Sequence, residues 1–340
     1  MEKLPVTIIT GFLGAGKTTL LNRIIAAHPD TRFAIIENEF GEESIDQDLV
    51  LEVEDGLFEM SNGCICCSLN GELVEMLAKL VRQRERFDHM LIETTGIAEP
   101  AEVAGAFLAE PEVAQYFKLD GIVCLADAET FAELVLDRDE ARRQVAFSDL
   151  VLLNKMDLAN PEQRAAAEET IRALNPHAQV VPAEQSDPGP VVFSKLLSLD
   201  AFDPERLQKN VEHHHYHHHH DHSHSHHELE SDHHHHHHDI VSHSFVLDEP
   251  LDPLKFQHWM SVLLMVQGAG FYRVKGIIQY PFRNQRIIFQ SVGKRHIFTQ
   301  GSDWEAEEER KSRLVFIGKE LRRDILEKGL RNCIWKNPFS

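Results

Sequence analysis

A mostly parallel α/β domain, followed by a smaller α+β domain, is the fold this 340-residue sequence predicts. Three observations predict it. Short apolar runs alternate with helical patterns over roughly the first 200 residues, the rhythm of strands joined by crossover helices. A glycine-rich loop links the first run to the first helix. A histidine-dense tract then interrupts the chain before a second, shorter pattern begins.

The first pattern places strands at Val6–Thr10, Phe33–Ile36, His89–Glu93, Gly121–Ala126 and Leu150–Leu153. These runs are apolar throughout, as strands buried on both faces should be. Between them, helices are expected at Thr18–Ala27, Gly71–Arg84, Ala101–Leu108, Thr130–Val135 and Pro161–Leu174. Around Ser186-Asp187-Pro188-Gly189-Pro190 the pattern breaks into turn residues, with a short helix expected at Phe193–Leu197. Of 23 His, 18 fall between His213 and His243, in company with Asp, Ser and Glu and almost nothing to bury. Such a composition predicts a disordered linker. Beyond it, Ser244–Leu247, Phe271–Ile278 and Arg286–Val292 read as strands, and Pro253–Met265 and Gly318–Lys328 as helices. The expected organisation is therefore a P-loop domain over 1–200, a linker over 201–243 and an α+β domain over 244–340.

Composition excludes several classes. Lys and Arg number 34 against 55 Asp and Glu, a formal charge of −21, which leaves no basic surplus for nucleic acid. No stretch approaches the length of apolar residues a membrane span requires. The start, Met1-Glu2-Lys3-Leu4-Pro5, lacks the pattern of a secretory signal, so a cytoplasmic protein is expected. Five Cys, three of them within Cys64-Ile65-Cys66-Cys67, suit metal or redox chemistry in a reducing compartment better than a disulfide framework. Cys124 and Cys333 sit in apolar contexts and read as core residues.

Gly11-Phe-Leu-Gly14-Ala15-Gly16-Lys17-Thr18 matches the phosphate-binding pattern GxxxxGK[ST] in full, between a strand and a helix. Backbone N–H groups of such a loop cradle phosphate oxygens, helped by the positive end of the helix entered at Thr18-Thr19. Lys17 is expected at the β/γ-phosphates and the Thr18 hydroxyl on Mg²⁺. Leu150–Leu153 ends in Asn154-Lys155-Met156-Asp157, which resembles the guanine-reading element of GTPases, where the carboxylate accepts from guanine N1–H and the exocyclic amine. Glu93-Thr94-Thr95-Gly96 follows an apolar strand. It has the form of a metal-shell acid followed by a γ-phosphate sensor, with Glu93 in the Mg²⁺ or water shell and Gly96 at the phosphate.

The stretch from Glu37 to Asp46 occupies the position of a switch loop, which orders around γ-phosphate and Mg²⁺. Ten acidic residues and no basic one lie between Glu37 and Glu59; they form either a solvated face or carboxylates that serve metals. No arginine finger can be named, so slow intrinsic GTP hydrolysis is expected. Asn62-Gly63 supplies a tight turn before three thiols, Cys64, Cys66 and Cys67. Three thiolates and one further ligand would make a tetrahedral site suited to Zn²⁺, with Co²⁺ a geometric mimic. Glu37 and Glu42 are the nearest candidates along the chain for the extra ligand. A redox thiol pair and inert buried thiols are the alternatives.

Taken together, these stretches resemble the CobW/YjiA-like metallochaperone GTPase family: Thr10–Thr19, Ile36–Glu42, Asn62–Cys67, Glu93–Gly96, Asn154–Asp157 and Tyr272-Arg273-Val274-Lys275-Gly276. The resemblance covers nearly the whole chain outside the histidine tract. It implies a GTPase that delivers a transition metal, most often zinc, to an apo-metalloprotein client. It also implies metal ligation by Cys66, with Glu37 and Glu42 as partners. Co²⁺ and Ni²⁺ remain alternatives to Zn²⁺, and a homo-oligomer is left open.

The tract itself, with runs such as His217–His220, can wrap a metal in several equivalent ways, which suits collection rather than one fixed geometry. A metal store or sensor with incidental GTP turnover is the competing reading. A cobalt-insertion accessory GTPase is a closer variant, and a P-loop small-molecule kinase is disfavoured by Asn154–Asp157 and the thiols.

Overall fold

The computed structural model describes residues 3–37, 52–54, 57–61, 77–78, 80–109, 111–201, 240–268 and 270–336; for Glu37, 52–54, 57–61, Ala109 and Pro111 it describes the backbone alone. Cys64, Cys66, Cys67 and Glu42 lie outside the described residues, as do the side chain of Glu37 and the histidine tract over 202–239.

Among the described residues, eight strands form the first sheet: β1 (Leu4–Gly11), β2 (Phe33–Glu37), β3 (Glu52–Glu54), β4 (Leu57–Ser61), β5 (His89–Glu93), β6 (Phe117–Asp127), β7 (Leu150–Asn154) and β8 (Gln179–Pro182). Their order across the sheet is β3-β4-β2-β5-β1-β6-β7-β8, every pairing parallel except β3 with β4. The apolar runs have a plain cause. Ile8, Ile36, Ile92 and Cys124 enter one core layer, while Ile9, Ile35, Leu91 and Val123 enter the layer on the opposite face. Consecutive residues point to opposite sides, so a strand covered on both faces needs an apolar side chain at nearly every position.

The connecting helices are α1 (Lys17–Ala27), α2 (Pro100–Ala109), α3 (Pro111–Ala114), α4 (Phe131–Asp137), α5 (Asp139–Phe147), α6 (Pro161–Leu174) and α7 (Pro190–Leu196). Helix α6 begins where its sequence says it should. Asn160 accepts from the Gln163 backbone N–H while the Gln163 side chain bonds the Asn160 backbone, and Pro161 fills the first helical position. The helix expected over Gly71–Arg84 stops sooner: Val81 is its last helical residue, and Arg84–Arg86 forms a separate 3₁₀ turn. Helix α5 was not expected at all, because its two central arginines mask a short buried face of Ala141, Gln144 and Val145.

The second sheet is antiparallel, ordered β12-β11-β10-β13-β9. Its strands are β9 (Ile240–Leu247), β10 (Phe271–Ile278), β11 (Gln285–Val292), β12 (Arg295–Asp303) and β13 (Ser312–Lys319). Helices α8 (Pro253–Gln267) and α9 (Arg323–Asn332) cover one face, over a core that includes Phe256, Phe271, Phe289 and Phe316. The other face contributes Tyr272, Val292, Val315 and Ile317 to the core of the first domain.

Two expectations are corrected here. Gly318 and Lys319 end a strand rather than open a helix: the Gly318 α-carbon lies so close to the Gly270 carbonyl that no side chain fits, and the helix starts only at Arg323. Strand β9 begins at Ile240, so His243 belongs to the folded sheet and not to the linker. Its Nε2 lies 2.9 Å from the Leu321 carbonyl oxygen.

Candidate nucleotide site

All the phosphate-facing motifs leave the same edge of the parallel sheet, at the carboxyl ends of β1, β5 and β7. Ligands of open α/β sheets bind at this edge. The loop after β1 turns on glycines with positive φ: Gly11 at 144°, Gly14 at 74° and Gly16 at 104°. At Gly16 a β-carbon would come within 2.5 Å of Ser186 Oγ and 2.7 Å of Asn154 Nδ2, so both conformation and space demand glycine. Gly14 has open space before it, which leaves room for a bulky anion against the backbone.

Lys17 is buried, and its ammonium donates to the Phe12 carbonyl at 3.3 Å across the loop. Burial lowers its pKa, opposed by the Glu93 carboxylate. Thr18 and Thr19 are exposed in the first turn of α1. The Thr18 hydroxyl donates to Glu93 Oε1 at 2.9 Å, which brings the expected metal-shell pair together across 75 residues of chain. This donor set, a hydroxyl and a buried carboxylate beside a phosphate loop, fits Mg²⁺, a hard ion that prefers oxygen ligands. Thr94 donates to Thr10 at 3.0 Å and its backbone N–H bonds the Ile9 carbonyl, fixing the β5 end against the loop. Gly96 is pressed on Leu13: a β-carbon there would lie 2.7 Å from the Leu13 backbone nitrogen.

At the end of β7, Asn154 is 2% exposed. Its amide donates to the Ala15 carbonyl at 2.8 Å and to Ser186 Oγ at 2.9 Å, while its oxygen accepts from the Ser186 backbone N–H at 2.6 Å. Ser186 Oγ in turn donates to the Gly16 carbonyl at 3.0 Å. Asn154 thus ties the phosphate loop to the segment after β8. Lys155, at φ 59°, pairs with Asp127 at 2.6 Å, and Asp157 is exposed at the outer end of the element.

Ser186 is the residue sequence reasoning missed here. It opens the cluster Ser186–Pro190, whose composition marks only a turn before a short helix. The left-handed φ of Gln185 (49°) and Ser186 (61°) is what turns it back onto the loop. Gln144 was missed as well. Its side chain donates to the carbonyls of Gly96 at 3.0 Å and Ala98 at 3.3 Å, from a helix that was not foreseen. Cys124 is core, as expected; burial pushes its thiol up to about 12, so it stays protonated beside Lys17. Cys333 is buried in the second core. Among the described residues no three His, Cys, Asp or Glu side chains gather as a metal site. None of the described helices is long and apolar enough to cross a membrane.

Fold and site together define a P-loop nucleotide-binding protein with an appended antiparallel domain. Residues 5–182 match the CobW/HypB/UreG nucleotide-binding domain, and residues 240–334 match the cobalamin synthesis protein CobW C-terminal domain. The chain is 31% identical over 328 residues to the zinc chaperone YjiA of Escherichia coli, covering 94% of this chain and 96% of that protein. It is 34% identical over 366 residues to the zinc chaperone CobW of Pseudomonas aeruginosa, covering 98% and 92%. The crystal structure of Zn(II)-bound YjiA GTPase from E. coli superposes with a TM-score of 0.70 at 26% identity, over 98% of this chain and 100% of that one. The chain belongs to the CobW/HypB/UreG family.

Proposed function

We propose that this protein binds and hydrolyses GTP and uses the cycle to deliver zinc to an apo-metalloprotein client. One observation carries the nucleotide half of the reading: the Thr18–Glu93 pair and the Asn154–Ser186 clasp meet on a single phosphate loop. Lys17 and the loop amides would hold the phosphates, and Thr18 with Glu93 would hold Mg²⁺, which supplies positive charge to the transferred phosphoryl group. Asn154 holds the loop through the Ala15 carbonyl, the Asp157 carboxylate would accept from the guanine edge, and Gly96 would supply the γ-phosphate contact.

The zinc half is supported by the relatives, which are named zinc chaperones, and by the chemistry of Cys64, Cys66 and Cys67 with Glu37 and Glu42. Thiolates with a carboxylate suit Zn²⁺ as cargo. A reducing cytoplasm suits thiols that must stay free to bind it. The histidine tract serves as a collecting arm.

Transfer of zinc from the loaded protein to an apo-metalloprotein, followed by recovery of client activity, tests the whole reading. GTP is expected to drive transfer and a non-hydrolysable analogue to stall it after one round of binding. Equal transfer with both would leave a metal store in place of a GTP-driven chaperone.

A further inference from the structure

Helix α5 touches both the loop that carries Gly96 and strand β10 of the second domain. Helix α5 ends at Phe147, and Asp149 stands immediately before β7. Gln144, 1% exposed, holds the Gly96 and Ala98 carbonyls through its amide nitrogen. One residue earlier Arg143 pairs with Glu99, at the end of the same loop. Three residues later the Phe147 carbonyl, one of the last in the helix, accepts from Arg273 of β10 at 2.5 Å. The same guanidinium meets Asp149 at 2.7 Å, and Lys275 meets that carboxylate at 2.7 Å. A nine-residue helix is therefore bonded to the Gly96–Glu99 loop along one side and to the second domain at its end.

Two further features set this helix apart from ordinary packing. Gln144 Oε1 is buried and accepts no hydrogen bond among the described residues. An amide carbonyl left so in the interior is costly, and a backbone N–H turned toward it by a shift of the Gly96–Ala98 segment would satisfy it. The side chain is thus equipped for two arrangements of the loop. Alongside runs a cleft of about 390 Å³ whose walls include Arg143, Tyr272 and Arg295, so the domains have space to reseat there.

We infer that Gln144 is a positioning residue of a relay. Through α5 and Arg273 it ties the arrangement of the Gly96–Glu99 loop to the seating of β10, so that the nucleotide's γ-phosphate sets how the second domain sits. The inference rests on Gly96 as the γ-phosphate contact. Such coupling is reciprocal: a ligand or partner that reseats β10 changes nucleotide preference by the same factor. Helix α5 is hydrogen-bonded to both sites, and Gln144 keeps a free acceptor for a second arrangement of the loop.

Hydrogen exchange on the full chain with Mg²⁺, comparing GDP with a non-hydrolysable GTP analogue, tests it. In the wild type, residues 94–99 and 271–278 are both expected to change protection between the two nucleotides. In Gln144→Met the change at 94–99 should persist, the change at 271–278 should vanish, and the ratio of analogue to GDP affinity should move about 5–10-fold toward one. Arg273→Lys, which retains charge beside Asp149 and releases the Phe147 carbonyl, should abolish the same response. A merely structural role would lower thermal stability equally with both nucleotides and leave the ratio alone. A wild-type response confined to 94–99, or an unaltered 271–278 response in both variants, overturns the relay. No wild-type response at 94–99 overturns the Gly96 reading itself, and the relay with it.

Discussion

The nucleotide cradle and the domain junction are built on opposite plans. The cradle is mostly backbone: glycines at positive φ, amides at a helix start, and carbonyls of Phe12, Ala15 and Gly16 clasped by a few side chains. The junction is side chain: one carboxylate, Asp149, shared by Arg273 and Lys275, with the carboxylate and the guanidinium buried and the lysine partly so. A backbone site depends on conformation and space and is written in contiguous residues. A buried ion pair depends on partners 124 and 126 residues apart, and its cost of desolvation is recovered only when every partner is present.

The largest effect should come from breaking the junction. Burial pushes the Asp149 carboxyl up, but Arg273 and Lys275 outweigh it and hold the group below its ordinary range. Burial, with Arg273 beside it, brings Lys275 down to about 8. Asp149→Ala strands the buried Arg273 and the partly buried Lys275 and should cost about 3–5 kcal/mol in urea unfolding, whereas exchanging all three residues for Leu, Met and Met should cost far less. Equal losses in the single and the triple variant would mean that shape, not charge, holds the domains.

Next comes the cradle. Gly16→Ala forces a β-carbon onto Ser186 and Asn154 at a left-handed backbone position. Backbone strain and overpacking together amount to about 3 kcal/mol, so nucleotide affinity by calorimetric titration should fall roughly 100-fold. Unchanged affinity would show that binding does not depend on this loop's shape.

The smallest effect probes the core beneath the cradle. His89 opens β5 at the end opposite Glu93, with Nε2 2.8 Å from the Thr7 hydroxyl. Burial, aided by His28, lowers its pKa to about 4. A base lowered in the folded state stays neutral while the unfolded chain takes up a proton. Its contribution to stability is therefore complete above pH 6.5 and is lost as pH falls from there toward 4. Between about pH 7.5 and about 5, the wild type should lose about 2 kcal/mol more than His89→Gln. The difference between the two curves is the quantity to read. Asp120, raised by burial, titrates with the opposite sign and cancels in that difference.

How much of this was legible follows from the same contrast. His89–Glu93 and Pro161–Leu174 are strand and helix over the expected residues, because burial on both faces and a capping box leave local signatures. Strand β12 and helix α5 carry mixed faces whose burial exists only once another element covers them, whereas the apolar run Leu314–Ile317 of β13 is itself a strand signature, passed over beside the helix expected from Gly318. The phosphate loop could be read outright. Tyr272-Arg273-Val274-Lys275-Gly276 could be recognised as a signature but not understood, since its reason, Asp149, is far away in the chain.

The sequence by itself determined the two-domain α/β and α+β plan, the phosphate loop, and the residue types offered to nucleotide and metal. Each depends on neighbours in the chain: periodicity, turn chemistry, and glycine where no side chain can stand. Tertiary structure decided that Thr18 meets Glu93, that Asn154 and Ser186 close the loop from behind, and that Gln144 and Arg273 join Gly96 to the second domain. Those contacts are set by which strand lies beside which and how the two sheets stack. Their energies arise from burying polar groups against one another, which no local pattern records.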